Sequence, residues 1–165
     1  MGALPRFTYT CSSCSELHEG LPDFACSAPA YWDPEEEAPH SWLTSDLCRI
    51  GGHFFIRCVL RMQITGVADS FGWGIWLSQS EANFLRYLDG KAPPEGTATF
   101  GYVANRLEMY PDTLSMHAIA VSQGPDIRPV VELQPCDHPL YEDWKLGIPV
   151  DRAVALVRKI LHREN

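Results

Sequence analysis

Hydrophobic and polar positions alternate most clearly between His53 and Ile64. Ile56, Cys58, Leu60, Met62 and Ile64 fall on one side, and Arg57, Val59, Arg61 and Gln63 on the other. A period of two in a run rich in β-branched and aromatic residues predicts a half-buried strand. Phe71–Leu77 (FGWGIWL) is expected to pair with it in antiparallel sense, after a turn near residues 66–70. Ser78 and Glu81 have the spacing of a capping box, so a short helix is expected over Asn83–Leu88, ended by Gly90. Lys91–Gly96 reads as a loop. Short strands are expected at Ala98–Val103, Leu114–Val121 and Ile127–Leu133, punctuated by Pro111, Gly124–Pro125 and Pro135. Past Pro149, Val150, Val154, Val157 and Leu161 recur at helical spacing with Asp151 near the start. That pattern predicts an amphipathic helix with one face on the sheet.

Upstream of Trp42 the pattern changes. Residues up to about Pro39 are rich in Cys, Ser, Pro and acid and show little periodicity, which predicts loops. A short strand at Phe7–Thr10 and an exposed acidic turn over Trp32–Pro39 are the expected exceptions. No stretch repeats at a fixed period. Strands outnumber helices and do not alternate with them, so the expected class is α+β. The expected architecture is a mainly antiparallel sheet with one short internal helix and a C-terminal amphipathic helix, plus an N-terminal metal-stapled loop region. A chain of 165 residues fits one domain. Residues 1–53 would form its Cys/His-rich part, and residues 54–165 its sheet and helices.

Composition narrows the partners. Apolar residues are 45% and charged residues 21%, as in folded proteins, and 13 basic against 21 acidic side chains give a formal net charge of -8. That charge repels phosphate backbones and no Lys/Arg cluster offsets it, so a basic protein is expected as partner rather than nucleic acid. No window approaches the about 18 apolar residues of a membrane span. Met1–Thr10 has a single Arg and no apolar run, which predicts no secretory signal and a cytoplasmic location. The six cysteines are then expected to be thiols or metal ligands rather than disulfides.

Cys11-Ser-Ser-Cys14 is the sharpest local signal, because two thiolates separated by two residues can hold one ion. A tetrahedral site needs two more ligands. Cys48 is the expected third, and His53 or His18 the fourth, with Gly51 and Gly52 allowing a tight turn between Cys48 and His53. Zinc suits such a mixed sulfur and imidazole set. Against this stand plain loop thiols, and a redox pair, which normally opens a helix instead of leading into Gly20-Leu21-Pro22. Cys26, Cys58 and Cys136 are read as ordinary thiols, Cys58 as a small core residue.

Trp73 and Trp76 lie three residues apart, so a strand puts them on opposite faces. An outward Trp would be an interface anchor, although core packing is the commoner fate of such residues. Arg57 and Arg61 share the face away from the core, where they could bind a carboxylate or stand as solvated charges. No nucleophile elbow or phosphate loop is present.

Several motifs then occur in a fixed order. Cys11-x-x-Cys14, His18 and Gly20-Leu21-Pro22 are followed by Ser45-Asp46-Leu47-Cys48, His53-Phe54-Phe55-Ile56-Arg57 and Phe71-x-Trp73-Gly74-x-Trp76-x-Ser78. Tyr110-Pro111-Asp112-Thr113, Arg128-Pro129, Asp137-His138-Pro139-Leu140 and Gly147-Ile148 complete the series. The series resembles the bacterial domain of unknown function 2199 family along nearly the whole chain. The resemblance implies a bacterial domain and draws Cys11, Cys14 and Cys48 into one pattern, but it brings no reaction. Ser15 stands where that family usually has Gly.

The expected function is a non-enzymatic, zinc-stapled protein-binding module, such as an immunity protein that neutralises a toxin or binds another basic protein. The alternative is a hydrolase-like enzyme using a zinc-bound water, or Cys48 with His53.

Overall fold

The computed structural model describes residues 5–6, 8–10, 17–19, 24–36, 40–90 and 92–161, with no side-chain description at 8–10, 17–19, 160 and 161. Strands β1 (Thr8–Thr10) and β2 (Leu17–Glu19) form a separate antiparallel pair. The main sheet runs β3 (Phe24–Ala25), β7 (Ser70–Gln79), β6 (His53–Gln63), β10 (Val130–Leu133), β9 (His117–Val121) and β8 (Ala98–Tyr102). The small strands β4 (Trp42–Leu43) and β5 (Leu47–Ile50) sit off this path.

The long β6–β7 hairpin is antiparallel as expected, pairing Phe54 with Gln79 through to Gln63 with Ser70. Period-two patterning makes it the backbone of the core: Ile56, Cys58, Leu60 and Met62 are all buried, as are Phe71, Trp73, Ile75 and Leu77 opposite. Most pairings are antiparallel, but β3 joins β7 and β10 joins β6 in parallel.

The sheet bends until its last strand, β8, comes back to β7. Leu77 and Val103 form a bridge, and Ala104 N donates to Trp76 O at 2.8 Å. Gly101 lies at this seam, where a Cβ would collide with the Ser78 carbonyl oxygen, so only glycine fits without displacement. Ser78 Oγ also accepts from Tyr102 N at 2.9 Å. Ser78 is therefore a strand residue and not the helix cap expected from its spacing to Glu81. The cap is Ser80, whose Oγ accepts from Asn83 N at the start of α1 (Glu81–Leu88).

Two expected strands are shorter than their apolar runs, since β9 starts at His117 and β10 at Val130. A helix that the sequence reading lacked, α2 (Pro139–Leu146), follows His138. Its cap is an imidazole: His138 Nδ1 accepts from Leu140 N at 3.0 Å, and Pro139 occupies the first turn. The last helix, α3 (Val150–Leu161), is amphipathic as expected, but its face is rotated. Ala153, Leu156 and Val157 are buried and Val154 partly so, while Val150 is 37% exposed.

A second, smaller cluster lies on the outer side of the sheet, where Cys48, Phe55, Trp76 and Ala104 are buried together. Residues 24–36 cover it. Trp76 Nε1 donates to Cys26 O, and Ala30 N donates to Ala104 O. Asn105 locks this cover in place: its Oδ1 accepts from Trp76 N at 2.8 Å and its Nδ2 donates to Ala28 O at 2.8 Å.

Candidate functional site

Two concave features lie at opposite ends of the β5–β6 hairpin. The first is a cleft of about 540 Å³ lined by Tyr31, Ile50, His53, Phe55, Ser78, Gln79, Tyr102, Ala104 and Ser115. Alternation brings these side chains together. In β5–β6 the Ile50–His53 and Cys48–Phe55 pairs share one face, and the Phe55–Ser78 pair extends that face to β7. The closure of the sheet then carries Tyr102 of β8 against the same end of β7.

Aromatic rings border this cleft on both sides. Tyr31, 50% exposed, stacks on Phe55 with centroids 6.0 Å apart. Phe100, Tyr102 and His117 form a mutually perpendicular trio with centroids 5.1–5.5 Å apart, and Phe100 and Tyr102 are each 45% exposed. Gln79 donates from Nε2 to the carbonyls of Ser78 and Phe100, while its Oε1 is buried without a protein partner.

The second feature is a crevice of about 370 Å³. It arises because β7 occupies one edge of β6 along its length, so β5 and β10 must share the other edge. β5 pairs with residues 53–56 and Asp46 O accepts from Arg57 N, after which β10 takes over at Val59, whose N–H donates to Pro129 O. Asp46 and Leu47 stand on one bank, Ile127, Arg128 and Pro129 on the other, and Arg57 and Tyr87 also line it. Arg128 Nε donates to Asp46 Oδ1 at 2.6 Å. Arg57 donates from Nη1 to Ser45 O and lies 5.9 Å over the Trp76 ring, with its Nε buried and unpartnered. Burial lowers the Arg57 pKa, and the positive charge of Arg128 lowers it further. The Asp46 carboxyl is held below its ordinary value: burial opposes the shift, but the hydrogen bond and charge of Arg128 outweigh it.

The sequence-predicted residues fall out unevenly. Trp73 and Trp76 do lie in clusters on opposite faces, but they are 5% and 0% exposed, so neither is the interface anchor considered above. Nearest-neighbour alternation cannot reveal that residues 24–36 fold over Trp76. Arg57 is not a freely solvated charge but is held in the crevice. Arg61 lies on the exposed part of the strand, four residues away.

Cys11 and Cys14 lie outside the described residues, and of His18 only its place in β2 is described. Cys48 and His53 share a face of the hairpin, but Cys48 is wholly buried while His53 is exposed. Among the described residues no three His, Cys, Asp or Glu side chains gather as a metal group would need. Burial pushes the Cys48 thiol up to about 11, opposite to the shift of a nucleophilic cysteine. Cys26, read as an ordinary thiol, packs against the same cluster as Cys48.

The sequence reading missed Tyr31, Phe100, Tyr102 and His117, and it did not connect Asp46 with Arg128. The outward residues of Ala98–Tyr102 do alternate, with Phe100 and Tyr102 on the polar side. That misplacement of large rings was the available signal.

The fold is that of a small α+β protein with a mostly antiparallel sheet and two surface recesses. The family model described as an uncharacterized protein conserved in bacteria (DUF2199) matches residues 10–148, and the chain belongs to that family. No curated protein and no solved structure matches it.

Proposed function

We propose that this protein is a non-enzymatic binding module that recognises a basic protein through the aromatic rim of the outer cleft. The observation that carries this reading is the recess lined by Tyr31, Phe55 and Tyr102, with Phe100 and His117 packed outward beside Tyr102. Rigid amphipathic rings supply contact area at little entropic cost and dominate binding hot spots. They also attract Arg and Lys heads, by about 0.5–2 kcal/mol per contact. The net charge of -8 steers a basic surface toward the protein. A toxin held by an immunity protein is one partner of that chemistry, and a structural zinc at Cys11 and Cys14 belongs to the same proposal.

The test compares the parent with a Phe100→Ser/Tyr102→Ser variant in capture from a bacterial lysate. The captured protein is then purified and titrated at low and high salt. The expected result is a basic partner whose affinity falls about tenfold or more in the variant and weakens with salt. An acidic partner, or equal binding by the variant, refutes the reading.

A further inference from the structure

We infer that the crevice between β5 and β10 is a binding site for a small carboxylic acid with an apolar tail. The site is separate from the aromatic cleft and does not depend on it. Two guanidinium groups, Arg57 and Arg128, face a single paired carboxylate, Asp46. Asp126 is the second carboxylate of the lining, and among the described residues Arg57 itself makes no ion pair. Arg57 has committed one terminal nitrogen to Ser45 O, and its buried Nε has no protein partner at all. Arg57 thus brings to the recess a guanidinium with no ion-pair partner, and a carboxylate bound there would supply one. The Arg57 guanidinium also lies 5.9 Å from the Trp76 ring centroid, a cation–π contact that orients it at the crevice.

The rest of the lining decides which acceptor. Leu47, Ile56, Ile127 and Pro129, with the Tyr87 ring, give the crevice apolar walls. Asp126 also lines it and adds a negative charge, which disfavours a dianion such as phosphate. A single carboxylate with a short hydrocarbon tail matches both features, and a volume of about 370 Å³ admits a molecule of that size. The carboxylate would come from a free acid or from the C-terminus of a peptide, which share this chemistry.

Three sequence motifs converge here. Asp46 comes from Ser45-Asp46-Leu47-Cys48, Arg57 from the end of His53–Arg57, and Arg128 from Arg128-Pro129. Nothing in the core requires Arg128 or Asp46, whose side chains are 43% and 54% exposed.

The test is titration by NMR with 4-methylpentanoate, its uncharged amide, acetate, inorganic phosphate and a short peptide ending in Leu. The Arg57 and Arg128 Nε–H signals serve as reporters. The expected result is saturable binding of 4-methylpentanoate with both arginine signals moving, and at least about tenfold weaker binding of the amide and of acetate. Arg128→Gln, on a half-exposed side chain, should weaken the acid about tenfold with unchanged thermal stability. Arg57→Gln is the second variant, read only where its spectrum shows a native fold. Tighter binding of the Leu-ended peptide than of the free acid would assign the carboxylate to a chain terminus; the reverse would assign it to a small acid. Equal binding of acid and amide, preference for phosphate, or no saturable binding of any probe overturns the inference. The Phe100→Ser/Tyr102→Ser variant should bind the acid normally, so failure of this site and failure of the aromatic cleft are told apart.

Discussion

Asn105 is the residue through which the cover over the outer cluster can be tested. It is 4% exposed, and its side chain satisfies two backbone groups on different segments, Trp76 N–H in β7 and Ala28 C=O in the cover. Its own carbonyl accepts from Thr113 Oγ1 at 2.6 Å, a bond that substitution of the side chain leaves in place. Asn105→Ala therefore strands one buried donor and one partly buried acceptor. A buried group without a partner costs about 1–3 kcal/mol, and the Ala28 carbonyl, being nearer the surface, can recruit water. The sum is about 2–4 kcal/mol, a large part of the about 5–15 kcal/mol that holds a domain folded. For a chain of this length that lowers Tm by about 5–15 °C. Asn105→Asp keeps the acceptor toward Trp76 N–H but sets a carboxylate against the Ala28 carbonyl, so it should be as damaging at neutral pH and milder in acid. Urea unfolding followed by tryptophan fluorescence gives the free energies. Hydrogen exchange at Trp76 and Ala30 should accelerate in the alanine variant, because the latter amide binds Ala104 O only while the cover is closed. A loss below about 1 kcal/mol with unchanged exchange would refute the view that Asn105 pins residues 24–36 to the sheet.

Two further outcomes are expected. Burial raises the Cys48 pKa from 9.0 to about 11, so the fold favours the neutral thiol. That stabilisation is whole below pH 9.0 and is lost as pH rises through about 11, with buried Cys58 adding a shift of the same sign. The urea midpoint should fall across that window, and Cys48→Ala should flatten the fall; an identical slope in the variant would count against burial as the cause. The proposed zinc predicts about one metal ion per chain purified without chelator, lost together with thermal stability in Cys11→Ser/Cys14→Ser. A metal-free parent as stable as the variant would remove zinc from the proposal.

The elements whose patterns are local were legible. The β6–β7 hairpin could be read because each strand alternates along its own length, and α1 because Gly90 and its acidic first turn bracket it. The capping serine was misassigned because Ser78 and Ser80 both precede Glu81, and only the seam with β8 shows that Ser78 is still in a strand. Helix α2 was missed because a histidine cap has no ordinary sequence signature, although Pro139 was a usable sign. On α3 the valine stripe competed with Ala153 and Leu156, and burial chose the latter pair. β4 and β5 are too short for any period to register.

The sites were less legible than the fold, for a reason visible in Arg57. Its neighbours in sequence place it on the polar side of a strand, and from that alone solvated charge is the sensible reading. What changes its chemistry is Arg128, 71 positions away in the sequence and brought alongside by the parallel β6–β10 pairing, together with Asp46 from the facing bank. The aromatic cleft has the same origin: Tyr31, Phe55 and Tyr102 meet only because residues 24–36 fold over the sheet and β8 closes onto β7. In both places the recess is made by the ends of strands that diverge or meet, while the periodicity of a sequence reports their middles. The two tryptophans show the converse. Their local alternation was read correctly, and the long-range cover that buries Trp76 decided its role, turning a possible anchor into the floor beneath Arg57.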